Sequence, residues 1–116
     1  MKLSIPHPER DHPREIKIDY WDSWSADYTL ALIIHPVLVQ LKNTTNSYPE
    51  IEEEDVYPEE ADFEKKWDLV LQDMINSFSV YVLEKYWEPD YWTKENTENF
   101  NRGLLYFGRY FTHLWD

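Results

Sequence analysis

The chain has no cysteine, two glycines, and 11 basic residues against 23 acidic ones in 116 positions. Without cysteine there is no disulfide, no thiolate nucleophile and no cysteine-ligated zinc or iron–sulfur centre, so stability has to come from packing. Gly103 and Gly108 cannot build the glycine-rich loops that cradle phosphate, which removes P-loop and dinucleotide-binding chemistry. The serines at 23, 25, 47, 77 and 79 lack the flanking glycines of a hydrolase nucleophile elbow. No apolar run approaches 18 residues, and Met1 to Arg10 lacks a signal-peptide layout, so a cytosolic protein without membrane association is expected. The basic residues are scattered, and a net charge of −12 repels nucleic-acid phosphates, so direct nucleic-acid binding is not expected.

What is present is apolar and aromatic. A 42% hydrophobic and 17% aromatic composition supplies one core at a length where single domains are commonest, and residues 1–116 are read as one domain. So many rings on so short a chain leave homo-oligomerisation open, because one small core cannot cover them all.

Periodicity sets the elements. Leu3 and Ile5, then Ile16, Ile18 and Tyr20, alternate with polar residues, which predicts two short strands joined by a proline-rich connection. The stretch Asp22-Ser23-Trp24-Ser25-Ala26-Asp27 is a helix-start signature with a hydroxyl cap. Behind it Leu30, Ile33, Ile34, Val37, Leu38 and Leu41 lie on one helical face running to about Lys42. Pro36 should kink that helix, at roughly 3 kcal/mol unless context compensates. The alternative is a pair of buried strands, Thr29 to Ile34 and Val37 to Leu41. Residues 43–61 form an acidic loop, expected to be solvated and mobile. Asp62 caps the longest helix, whose stripe is Phe63, Trp67, Val70, Leu71, Met74, Ile75, Phe78 and Val82, ending near Tyr86, with Lys65 and Lys66 outside the stripe. Thr93 caps a last helix with the seam Phe100, Leu104, Phe107, Phe111 and Leu114, reaching Trp115 and Asp116. Gly103 and Gly108 inside it each cost about 1 kcal/mol against alanine, which close approach of a neighbour would offset. The expected fold is mainly α, three amphipathic helices with a short N-terminal β element, with α+β as the alternative.

Chemistry-bearing clusters are few. His7, Asp11 and His12 share a turn-rich segment but lack the helical His-Glu-x-x-His spacing, and with His35 and His113 they are read as surface or packed rings; no metal site is expected. Magnesium-dependent nucleotide pyrophosphatases need carboxylates converging from neighbouring helices, whereas the acids at 52–55 and 59–64 fall in or beside a loop. No cofactor and no catalytic residue follows. Asp19, Asp22 and Asp27 beside Trp21 and Trp24 could line a pocket for a cation or nucleobase, or could serve as a strand end, a helix cap and core indoles.

The run from Ile18 through Trp21-Asp22-Ser23-Trp24-Ser25-Ala26-Asp27 to Pro36, with Gln40-Leu41-Lys42, Glu54-Asp55-Val56, Lys66-Trp67-Asp68, Asp73-Met74-Ile75, Gly103-Leu104, Phe107-Gly108, Tyr110 and Leu114-Trp115-Asp116, resembles a family of small proteins encoded by tailed bacteriophages. This chain departs from it at Tyr28, where that family has His, and at Asp73, where it has Glu. The resemblance implies a phage origin and the host cytoplasm, and implies no reaction.

Two functions are expected from these features. The first is a binding protein that inhibits a host or defence protein through its basic nucleic-acid-binding surface, of anti-defence type such as an anti-CRISPR or DNA mimic, using the acids Glu52, Glu53, Glu54, Asp55, Glu59 and Glu60. The second is sequestration of a small molecule or nucleotide between Trp21, Asp22, Trp24, Asp27, Trp115 and Asp116. Metal-dependent hydrolysis of such a ligand ranks third.

Overall fold

A computed structural model describes residues 1–4 and 15–115 of the chain. It is mainly α, with a two-stranded antiparallel sheet at the N-terminus. Strands β1 (Lys2–Ser4) and β2 (Glu15–Lys17) pair in the register Lys2 to Lys17, Leu3 to Ile16 and Ser4 to Glu15. A 3₁₀ turn, Tyr20–Ser23, leads into α1 (Ala26–Thr44), followed by α2 (Phe63–Val82) and α3 (Lys94–Arg109), with short 3₁₀ turns at Pro89–Tyr91 and Phe111–His113. Ile5, the proline-rich connection, His7, Asp11, His12 and Asp116 lie outside the described residues.

Helix α2 is central: α1 packs on one side of it and α3 on the other. Its buried residues Trp67, Val70, Leu71, Met74, Ile75 and Phe78 match the predicted stripe, whereas Phe63 is half-buried, Val82 is exposed, and Ser77 and Val80 are buried in its place as both flanks of the helix are covered. Lys66 departs from expectation, because it sits four residues before Val70 on the same side and is buried with it. Asp62 caps α2 by accepting from the Glu64 and Lys65 N–H groups at 2.9 and 3.4 Å. The helix stops at Val82 rather than Tyr86. Glu84 takes a left-handed φ of 56°, its N–H bonds Tyr81 O, and Lys85 N–H bonds Val80 O, the paired closure that satisfies a helix C-terminus.

Helix α1 runs unbroken through Pro36, which removes the two-strand alternative. Ser25 occupies its N-cap without a side-chain cap bond, and the Ser23 hydroxyl instead donates to Tyr20 O at 2.8 Å. The buried face is Ala31 and Leu38, with Ile34 and Leu41 against the core, whereas Leu30 and Val37 of the predicted face point to solvent. Lys42 pairs with Asp68 of α2 at 3.2 Å at one end, and the Tyr28 ring lies 6.0 Å from Tyr86 at the other. The two helices therefore run antiparallel.

The α2–α3 seam is set by Gly103. A Cβ there would run into Ser77 and the Asp73 carbonyl, so only glycine lets the backbones approach this closely. Ser77 Oγ uses the proximity to donate to Phe100 O at 2.8 Å. Contact at Gly103 turns α3 so that Gly103, Tyr106 and Tyr110 are buried, while Leu104 and Phe111 of the predicted seam are exposed. Gly108 faces open space. Helix α3 ends at Arg109 instead of reaching Trp115.

Candidate functional site

The segment from Thr45 to Asp62 carries no helix or strand, yet it is not wholly solvated as expected, because two of its residues join the buried core. Ile51 and Val56 are 0% exposed and belong to the central core with Trp67, Val70 and Met74. The Ile51 carbonyl accepts from the buried Lys66 ammonium at 3.0 Å, a charge-assisted bond away from water. Between the anchors, Val56 N–H bonds Glu53 O at 3.1 Å, and Glu60 N–H bonds Tyr57 O at 3.0 Å, two turns that reverse the chain. Tyr57 holds a left-handed φ of 44°, a costly conformation for a ring-bearing residue, and its hydroxyl donates to Asp73 Oδ2 at 2.5 Å. Arg102 Nε lies 3.8 Å from the same carboxylate. Burial, and then the Asp73 carboxylate, pushes the Tyr57 hydroxyl well above the usual phenol range.

With the apolar side chains turned inward, Glu52, Glu53, Glu54, Asp55 and Glu59 are exposed. Glu60 is half-buried and accepts from Asp62 N–H at 3.1 Å. Asp55 is partnered by Arg109 Nη2 at 3.5 Å. The loop thus presents carboxylates on a backbone held by buried anchors, turns and a cation from α3. Tyr57, Lys66, Asp73, Arg102 and Arg109 are the supporting residues that sequence reasoning missed. For Lys66 the signal was its i, i+4 spacing to Val70; the others are joined by tertiary contact alone.

Of the second predicted group, Trp21, Asp22, Trp24 and Asp27 stand at the start of α1, Trp115 follows the end of α3, and Asp116 lies outside the described residues. Trp21 is 60% and Trp24 70% exposed, and Trp24 stacks edge-on against Tyr20 rather than against a carboxylate. Asp22 accepts from Asp19 N–H at 2.9 Å and lies 3.1 Å from the Met1 ammonium, and the backbone bond from Asp19 holds its pKa below the usual carboxylate range. Asp27 bonds the Tyr81 hydroxyl near the C-terminal end of α2; burial first, and then this bond, pushes that hydroxyl up to about 12. Trp115 follows Tyr110, whose ring meets Trp67 near the opposite end of α2.

A cleft of about 570 Å³ opens where α1, the loop and α2 meet, lined by Tyr48, Trp67 and Leu69 together with Lys42, Lys65, Glu60 and Glu64. Its lining mixes both signs of charge. Among the described residues, no group of three acidic or histidine side chains is arranged to hold a metal ion, and no helix is long and apolar enough to cross a membrane. No protein-family model, curated protein or solved structure matches the chain.

Proposed function

We propose that the chain acts by binding: its ordered acidic loop engages a basic, nucleic-acid-binding surface of another protein and occupies it. The observation that carries this reading is the pinned loop, in which Ile51 and Val56 are fully buried while Glu52 to Asp55 stand exposed between them. Carboxylates on a fixed backbone lose less conformational entropy on docking than a mobile acidic tail, and they act within the field of a −12 chain. The resemblance to small phage proteins supports placing that partner in a bacterial host, as a target or a defence component.

The test is affinity purification from bacterial lysate at low and high salt, with wild type beside a Glu52→Lys, Glu54→Lys double variant. A stoichiometric partner that dissociates as salt rises, and that the variant fails to retain, is the expected result. Its nucleic-acid binding should fall as the acidic protein is added. A partner retained equally by the variant would refute the acidic-face reading.

A further inference from the structure

We propose that the outer face of α1 is the interface of a homodimer, packed against the same face of a second copy across a two-fold axis.

The face is apolar where a free surface would be polar. Leu30 is 54% and Val37 61% exposed, with Ile33 half-buried between them, and the spacing i, i+3, i+7 makes them one ridge on the helix. Ala26, Pro36 and Gln40 flank the ridge and are exposed as well.

The molecule also has area to spare. Its accessible surface is 8423 Å², whereas a compact monomer of 14.2 kDa exposes about 6,800 Å². The surplus, on the order of 1,600 Å², exceeds the roughly 800 Å² that each partner gives to a standard interface. The radius of gyration is 16.1 Å, against about 13–14 Å for a compact chain of this length. Among the described residues, the helix that packs on α1 is α2, and the face of α1 that carries Leu30 and Val37 stays exposed.

Charge selects the occupant. The ionisable residues of α1 all lie off the ridge: Asp27 bonds Tyr81, Lys42 pairs with Asp68, and His35 falls on the line of Tyr28 and Lys42 at seven-residue spacing. A basic partner recognised by charge finds nothing to read on such a face. A second copy, itself at −12, meets the least repulsion through a face that carries no charge. The ridge is also self-complementary, since an antiparallel crossing near Ile33 sets Leu30 of one copy opposite Val37 of the other. This pairing is independent of the acidic-loop reading.

The test is mass by light scattering and sedimentation, over a concentration series, for wild type and Val37→Glu. Wild type should reach twice 14.2 kDa, and Val37→Glu should fall to 14.2 kDa with unchanged helical circular dichroism. Because the chain has no cysteine, single cysteines report the geometry without background. Ile33→Cys should oxidise to a covalent dimer, and Glu98→Cys on exposed α3 surface should not. This pair decides the matter if Val37→Glu fails to fold. A wild type that stays monomeric throughout, a dimer that survives Val37→Glu, or cross-linking through Glu98→Cys and not Ile33→Cys would overturn the proposal.

Discussion

The loop at 45–62 and the segment at 18–27 reverse what their compositions suggest. The loop is dense in acids and prolines, yet it is seated on the core by Ile51 and Val56, each 0% exposed. The other segment holds Trp21 and Trp24, and leaves them 60% and 70% exposed. Burial here follows the shape left by the helices. Helices α1 and α3 flank α2, and Ile51 and Val56 of the loop join Trp67, Val70 and Met74 in one buried cluster. The N-terminal turn packs on α1 and contributes no buried residue. A side chain's transfer free energy is realised only where other atoms close around it.

The strongest way to break this contrast is to remove an anchor. Ile51→Ala should destabilise the protein by about 2–4 kcal/mol, the cost of deleting a fully buried branched side chain plus the cavity left behind. Denaturant unfolding would give the loss, and amide exchange should show residues 50–60 losing protection first. A variant that melts like wild type would mean the loop is not seated on the core.

The platform beneath the loop can be tested at the two glycines of α3, which should respond with opposite signs. Gly103→Ala forces apart Ser77 and the Asp73 carbonyl and should cost about 1–3 kcal/mol even after the gain in helix propensity. Gly108→Ala meets open space and should stabilise by about 0.5–1 kcal/mol. Paired thermal melts measure both. Equal shifts of one sign would show that the close approach is not what holds Gly103.

Alkaline pH separates the regions by a smaller margin, because the rings concerned are partly solvated. Tyr81 is pushed up to about 12, and Tyr57 rises with it, while in the unfolded chain both lose their protons near pH 10. The folded state holds more protons above that point, so their contribution is full below about pH 10 and fades as pH rises toward 12. Melting temperature against pH should fall in that window. Tyr57→Phe should flatten the fall if the loop supplies part of it.

The three helices, their order and most of the stripe on α2, though not its end at Val82, were legible, because a helix packed on both flanks needs an apolar arc that periodicity detects. The faces of α1 and α3 were not. On α1 the apolar residues outnumber those that one contact can cover, so the pattern marks a wide arc without saying which half meets α2. On α3 the rotation is fixed by what glycine lacks, since Gly103 against Ser77 outweighs the larger residues Leu104 and Phe111. Of the candidate site residues, the acids of the loop were legible by composition, but their placement depends on contacts distant in sequence: Lys66 to the Ile51 carbonyl, Tyr57 to Asp73, and Arg109 to Asp55. The pairing of Trp21 and Trp24 with Trp115 inferred proximity from the resemblance-bearing segments at the two chain ends, and chain direction sets Asp27 and Tyr110 near opposite ends of α2.

The smallest effect belongs to the exposed tryptophans. Trp24 touches Tyr20 edge-on at 5.3 Å and is otherwise open, so Trp24→Ala should change monomer stability by no more than about 0.5 kcal/mol. The measurement is a thermal melt at two protein concentrations. No shift at either leaves Trp24 a solvent-facing ring and keeps the contrast with Ile51 intact. A loss that appears only at the higher concentration would place Trp24 beside the α1 ridge in the assembled dimer. A loss of several kcal/mol at both would mean the N-terminal turn packs on the core after all, and the two regions would then differ only in how their burial is achieved.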